Sequence, residues 1–122
     1  MITWNNLDKL TSYQELEKTE SVDLAAVMAG ENGAERVKNY SVPMAEGLAY
    51  NYAAKKVDDT VLAALEKLAE EAQLTEKFEA LYNGEVVNTG EKRLVLHHMT
   101  RGQLGDAVEA DGVDKRTFYV EQ

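Results

Sequence analysis

Between Val57 and Gly84 the apolar residues recur every three or four positions, the spacing that lines side chains along one face of an α-helix. Val61, Leu62, Leu65, Leu68, Ala69 and Ala72 make one stripe, and Leu74, Phe78 and Leu81 make a second. Asp58 stands where the first free amides of a helix need an acceptor, with Asp59 in the first turn and Val57 and Leu62 at the positions of a hydrophobic staple. Thr75 is a candidate cap for the second helix. Asn83-Gly84 ends it, because glycine takes the left-handed cap conformation at no steric cost and asparagine is next best. Glu66, Lys67, Glu70 and Glu71 form the wet face. A chain built on these two helices has to bury both stripes, and the stripes define its core.

The segments before Val57 read in shorter pieces. Asn5 or Asn6 can cap a turn through Leu7 and Leu10. Thr11 with Gln14, or Ser12 with Glu15, makes a capping box for a helix to about Lys18. Ser21 or Asp23 opens another through Leu24, Ala25, Val27 and Met28, and Gly30-Glu31-Asn32-Gly33 breaks it by composition. Ala34 to Tyr40 resumes the helical spacing. Val42 and Met44 then alternate with smaller residues, Glu46-Gly47 is a turn, and Leu48, Tyr50 and Tyr52 alternate on the return, which predicts a hairpin. Pro43 has no amide proton, so its strand lies at a sheet edge or a bulge.

After Gly84 the spacing predicts a turn and a further helix capped by Thr89, with Glu91 in its first turn and Leu94, His98 and Met99 on its apolar side. Asp111-Gly112, flanked by Ala107 to Ala110 and Val113, is the strongest two-residue hairpin signal in the chain. Asp114 is placed to cap a last helix from Lys115 to Gln122. The chain stops after barely two turns of it, which reads as the boundary of a fragment.

Asn83 to Arg101 also resembles a signature of the glucose-6-phosphate isomerase (phosphoglucose isomerase) family, N-G-E-K-I-N-x-T-E-x-R-A-V-L-H-x-A-L-R. Laid on without a gap, it matches at Asn83, Gly84, Glu85, Asn88, Glu91, Arg93, Val95, Leu96, His97 and Arg101, ten of nineteen positions. Val87 replaces Ile, Gly90 replaces Thr, Leu94 replaces Ala, His98 stands for a small or apolar residue, and Met99-Thr100 replaces Ala-Leu. Arg36 to Ser41 is similar to the family's R-x-x-x-F-S, and the family's D-Y-S-K-N keeps only Tyr52 here. The family has a hairpin similar to that at Asp111-Gly112. From Asn51 to Gly84 the length equals that of its corresponding segment.

Composition excludes several classes. A formal net charge of −9 argues against a nucleic-acid backbone and an anionic membrane surface as partners, since both select clustered Lys and Arg. With no cysteine there is no disulfide or thiolate chemistry. The first six residues have neither a basic region nor an apolar run, and no stretch reaches the ~18 apolar residues of a membrane span. The expectation is a cytoplasmic protein. With 44% apolar and 29% charged residues over 122 positions, it is a globular chain of one domain by length.

Groups that could carry chemistry each have a plainer role. His97 and His98 are adjacent, so on a helix they point ~100° apart and do not converge on one ion. His97 is expected to be the packed or hydrogen-bonded one and His98 partly exposed. Asp58-Asp59 is explained by capping, Glu70-Glu71 by a solvated face and Glu109 with Asp111 by a hairpin. Gly102-x-x-Gly105 lacks the strand and helix that a phosphate cradle needs. The tyrosines pack, since no basic residues interleave with them.

The expected fold is therefore α+β, a mainly helical segment with two small β-hairpins. The resemblance implies that residues 1–122 are the amino-terminal segment of a larger α/β isomerase, with the catalytic sugar-phosphate domains absent from the chain. It implies that the parent interconverts glucose 6-phosphate and fructose 6-phosphate by ring opening and a cis-enediol proton transfer, with no cofactor and no metal, as a homodimer. The family's phosphate loop, glutamate base and ring-opening groups lie in later sequence, so no catalytic or substrate-binding residue is carried over. The rival expectation is a free-standing acidic helical interaction module.

Overall fold

The computed structural model describes residues 1–101 and 105–122. Among these, helices alternate with three two-stranded antiparallel sheets, and the backbone contacts divide into two compact units. One unit is residues 11–68; the other is residues 1–10 with 69–122.

The first unit opens with helix α1 (Thr11–Leu16) and helix α2 (Leu24–Val27), whose first turn is capped by Asp23 accepting from the Ala26 amide at 3.2 Å. Helix α3 (Gly30–Asn39) begins inside the glycine cluster that the composition marks as a breaker. Gly33 accounts for this correction: a Cβ there would run into the carbonyl of Met28, so only glycine lets α3 start hard against the end of α2. Strands β1 (Ser41–Ala45) and β2 (Leu48–Asn51) form the expected hairpin, turning at Gly47 with φ +73°. Val42 faces Tyr50 across it, and the register shifts between Pro43 and Ala45, the irregularity that a proline in a strand demands. Helix α4 (Asp59–Glu71) starts in this unit, and Asp58 caps it by accepting from the Val61 amide at 2.8 Å.

In the second unit, Leu7–Lys9 is a short 3₁₀ turn for which Asn6 supplies no side-chain cap. Helix α5 (Leu74–Tyr82) follows α4 through Gln73, held at φ 55°, so the break is made by a left-handed residue and not by a Thr75 cap. Its end is as the sequence predicts. The Glu85 amide donates to Ala80 O at 2.9 Å and the Gly84 amide to Leu81 O at 3.1 Å, with Gly84 at φ +75°. Strands β5 (Glu109–Ala110) and β6 (Val113–Asp114) pair across Asp111 and Gly112, both at positive φ as a type I′ turn requires. Helix α6 (Lys115–Val120) is capped by Asp114 and ends two residues short of the expected span.

The helix expected from Thr89 is absent. Strands β3 (Val86–Asn88) and β4 (Arg93–Leu94) make a third hairpin, and only His97–Arg101 is helical, as a 3₁₀ turn. The Asn88 side chain accepts from the Glu91 amide at 3.1 Å, and Lys92 sits at φ 55°. That local bond turns the backbone back on itself where a helix would have gone straight on.

The core is small. Val22 and Ala53 are buried in the first unit, and Leu10, Ala72, Ala80, Met99 and Val108 in the second, with Met99 the largest side chain fully enclosed. The α4 stripe is only half-buried at Val61, Leu62, Leu68 and Ala69, and Leu65, expected inside, is 39% exposed.

Candidate functional site

Two arginines are buried in this acidic chain, and both are satisfied by backbone carbonyls. Arg36 leaves α3 and donates from Nε to Ala53 O at 2.8 Å and from Nη2 to Lys55 O at 3.0 Å and Val57 O at 2.6 Å. Its guanidinium also lies 4.2 Å from the centre of the Tyr40 ring. One planar fork thus gathers the whole turn between β2 and α4, a geometry the single ammonium of lysine cannot copy. Asn51 adds a clamp, donating to Val37 O at 2.7 Å and accepting from the Ala53 amide at 3.1 Å. Tyr40 donates to Asp59 Oδ1 at 3.2 Å; its partial burial and the neighbouring carboxylate push its phenol above the ordinary value.

Arg116 does the same work in the second unit. It donates from Nε to Asp106 O at 2.7 Å and from Nη2 to Tyr82 O at 3.1 Å, with its guanidinium 5.3 Å from the Tyr82 ring centre. His98 Nε2 lies 3.0 Å from the same Tyr82 carbonyl and its ring stacks on Tyr82 at 5.2 Å. A carbonyl only accepts, so His98 carries its proton on Nε2. The last residue of α5 is thereby tied to the signature turn and to α6. Asp114 completes the knot, accepting from Thr117 Oγ1 at 2.6 Å, the Arg116 amide at 3.1 Å and the Val108 amide at 3.2 Å. The Thr117 hydroxyl is the main reason its carboxyl is held below the ordinary carboxylate value.

The two histidines exchange their expected roles. His98 is the half-buried, hydrogen-bonded one, while His97 is exposed and lines an open cavity of about 300 Å³ with Leu94, Leu96, Thr100 and Tyr119. The acidic pairs have structural places: Asp58 caps α4, Asp59 accepts from Tyr40, Glu70 and Glu71 lie exposed at the end of α4, and Glu109 and Asp111 belong to the last hairpin. Among the described residues no three His, Cys, Asp or Glu groups are placed to hold a metal ion. In Gly102-x-x-Gly105 the first three positions lie outside the described residues. Three tyrosines pack together, Tyr52 lying 5.1 Å from Tyr40 and 6.1 Å from Tyr50 between ring centres.

The bonds of this arrangement hold backbone: two carbonyl cages fix loops, and Asp114 and Asp59 bond to the Arg116 amide and to Tyr40 beside them. Neither Arg116 nor Tyr82 stands out in the sequence. The available signal for Tyr82 is its place four residues after Phe78 on α5, and for Arg116 there is none beyond its place two residues after a capping Asp. No helix among the described residues is long and apolar enough to cross a membrane.

Comparison with known proteins accounts for such a site. A family model described as "Phosphoglucose isomerase" matches residues 51–120, which takes in α4, α5, the signature and the Arg116 knot. The chain is 51% identical to a glucose-6-phosphate isomerase of Treponema denticola over 98% of its length, 40% to one of Treponema pallidum over 99%, and 37% to one of Borreliella afzelii over 98%. It spans only 24%, 23% and 22% of those relatives, respectively. With the family match covering more than half of its residues, the chain belongs to the phosphoglucose isomerase family, as an amino-terminal segment of about a quarter of the relatives' length.

Proposed function

We propose that this chain is the amino-terminal part of an enzyme that interconverts glucose 6-phosphate and fructose 6-phosphate in the cytoplasm. The observation that carries this is the 51% identity to a glucose-6-phosphate isomerase along 98% of the chain. The whole enzyme opens the sugar ring and moves a proton between C1 and C2 through a cis-enediol, with neither metal nor organic cofactor. The groups for that chemistry belong to the α/β sugar-phosphate domains of the remaining polypeptide. Residues 1–122 act as a supporting unit, in keeping with two buried arginines spent on backbone carbonyls. Its partners are that remaining polypeptide and, in the assembled homodimer, a second subunit; the substrate is a sugar phosphate.

Grafting tests the reading. The chain replaces the corresponding segment of the Treponema denticola isomerase, and turnover of fructose 6-phosphate is followed in a coupled assay. The graft is expected to turn over, and the 122-residue chain alone to stay at the buffer rate. A folded graft without turnover, or turnover by the chain alone that His97→Ala abolishes, overturns it.

A further inference from the structure

The hairpin of the first unit is built unlike the rest of the chain. From Ser41 to Ala53 it carries one charge, Glu46 at the turn, where 29% of all residues are charged. Yet from Val42 to Asn51 its side chains face water: Met44 is 65% exposed, Leu48 58%, and Val42 and Tyr50 45% each. A two-stranded hairpin is marginal in water unless a helix or further strands cover an apolar face, and exposed sheets are usually guarded by charge. Beside it runs an open groove of about 380 Å³. Val42 and Tyr50 form one wall, Leu62 and Leu65 of α4 the other, with Val57 between them and Lys55 as its one charged side chain.

We infer that this groove is the seat on which the remaining polypeptide of the isomerase packs, through an apolar element laid across the β1/β2 face. The inference rests on the proposed function and names the surface that function requires. The relatives are about four times as long as the chain, which covers 24% of the Treponema denticola protein, so there is ample polypeptide to fill the groove. A second copy fits poorly, because a two-fold contact needs a self-complementary patch, whereas this one is concave and each copy carries a net charge of −9. Pro43 and the register shift beside it spoil β1 as a pairing edge. The occupant therefore lies on the face and inserts side chains, and it adds no strand at the β1 edge.

The chain has no cysteine, so a single introduced thiol reports its own surroundings. Tyr50→Cys and Leu65→Cys probe the two walls, and Glu66→Cys, exposed on α4, is the control. Maleimide labelling is timed by peptide mass in the 122-residue chain and in the graft. The expected result is equal labelling of all three in the chain, and about tenfold or greater slowing of the two wall sites alone in the graft. Wall sites as fast as the control in a graft that turns over overturn the seat and leave the proposed function standing. Slowed wall sites in a graft without turnover support the seat and overturn the isomerase activity. Wall sites already slow in the 122-residue chain overturn the seat as well, because the groove would then be filled from within.

Discussion

Gly84 is where the signature, the end of α5 and the last hairpin meet, and Gly84→Ala separates two costs there. At φ +75° an alanine lies in the left-handed region, which costs an L-residue roughly 1–2 kcal/mol. Its Cβ would also collide with the Cγ1 and Cγ2 methyls of buried Val108. Val108 is poorly placed to retreat, since its amide donates to Asp114 at 3.2 Å and its carbonyl accepts from the Lys115 amide at 2.8 Å. Overpacking of this kind adds roughly 1–3 kcal/mol. Gly112→Ala is the internal reference: Gly112 has φ +74° in the same unit with nothing within 4 Å of a Cβ, so it incurs the backbone cost alone. The expected losses are therefore roughly 2–5 kcal/mol for Gly84→Ala and roughly 1–2 kcal/mol for Gly112→Ala, read from urea midpoints by circular dichroism. In a melt the first amounts to roughly 6–25 °C, at roughly 3–5 °C per kcal/mol for a chain of this size. Adding Val108→Ala to Gly84→Ala should cost less than Val108→Ala alone, because the colliding methyls are gone. Two glycine variants within about 0.5 kcal/mol of each other would refute the contact and leave only the left-handed backbone.

Leu65→Ala should cost under about 1 kcal/mol in the 122-residue chain because the side chain is partly in water, whereas Met99→Ala, fully enclosed, should cost about 2–5 kcal/mol; comparing their melts checks both. Arg36→Lys should lose at least about 2 kcal/mol, since most of the three carbonyls it gathers are left without a donor, and amide exchange across residues 53–57 should accelerate. Asp114 has its folded value below the ordinary 3.8, so its contribution to stability is present above that value and is lost as the pH falls through the lower folded one. Thr117→Val should raise the Asp114 carboxyl toward 3.8 in an NMR titration and flatten that loss.

Elements set by a single local interaction were legible. Asp58, Asp114, Asp111-Gly112 and Asn83-Gly84 each satisfy or redirect a few backbone groups close by in the chain, and the structure uses all of them as the sequence predicts. Residues 89–101 were misread because two local signals compete there. Thr89 and Leu94 to His98 carry helical spacing, but the Asn88 side chain takes the Glu91 amide first and Lys92 goes left-handed, so the same residues close a hairpin. The Gly30 cluster failed in the opposite sense. Gly33 in it answers to a close approach of the Met28 carbonyl, a tertiary fact that composition does not contain. Arg36 stands in the stretch similar to R-x-x-x-F-S, but neither arginine's cage was legible, since an arginine bound to carbonyls has no charged partner whose spacing could announce it.

The misjudged burial has a different origin. Leu65, Leu74 and Phe78 stand on the apolar stripes of α4 and α5, and the structure leaves them 39%, 60% and 64% exposed. Their helices are as expected, so the periodicity was right about secondary structure. Periodicity records which side of a helix is kept from water in the molecule that uses it, and this chain is about a quarter of the relatives it matches. An amphipathic helix in a complete domain spends its stripe inside; a segment of a longer polypeptide shows part of that stripe at its surface. The departure between pattern and exposure is then itself a map, with Leu65 beside the hairpin groove in one unit and Leu74 and Phe78 along α5 in the other. Where such a residue is truncated, the 122-residue chain should hardly notice and the grafted enzyme should. The size of that difference measures how much of the stripe belongs to the rest of the polypeptide.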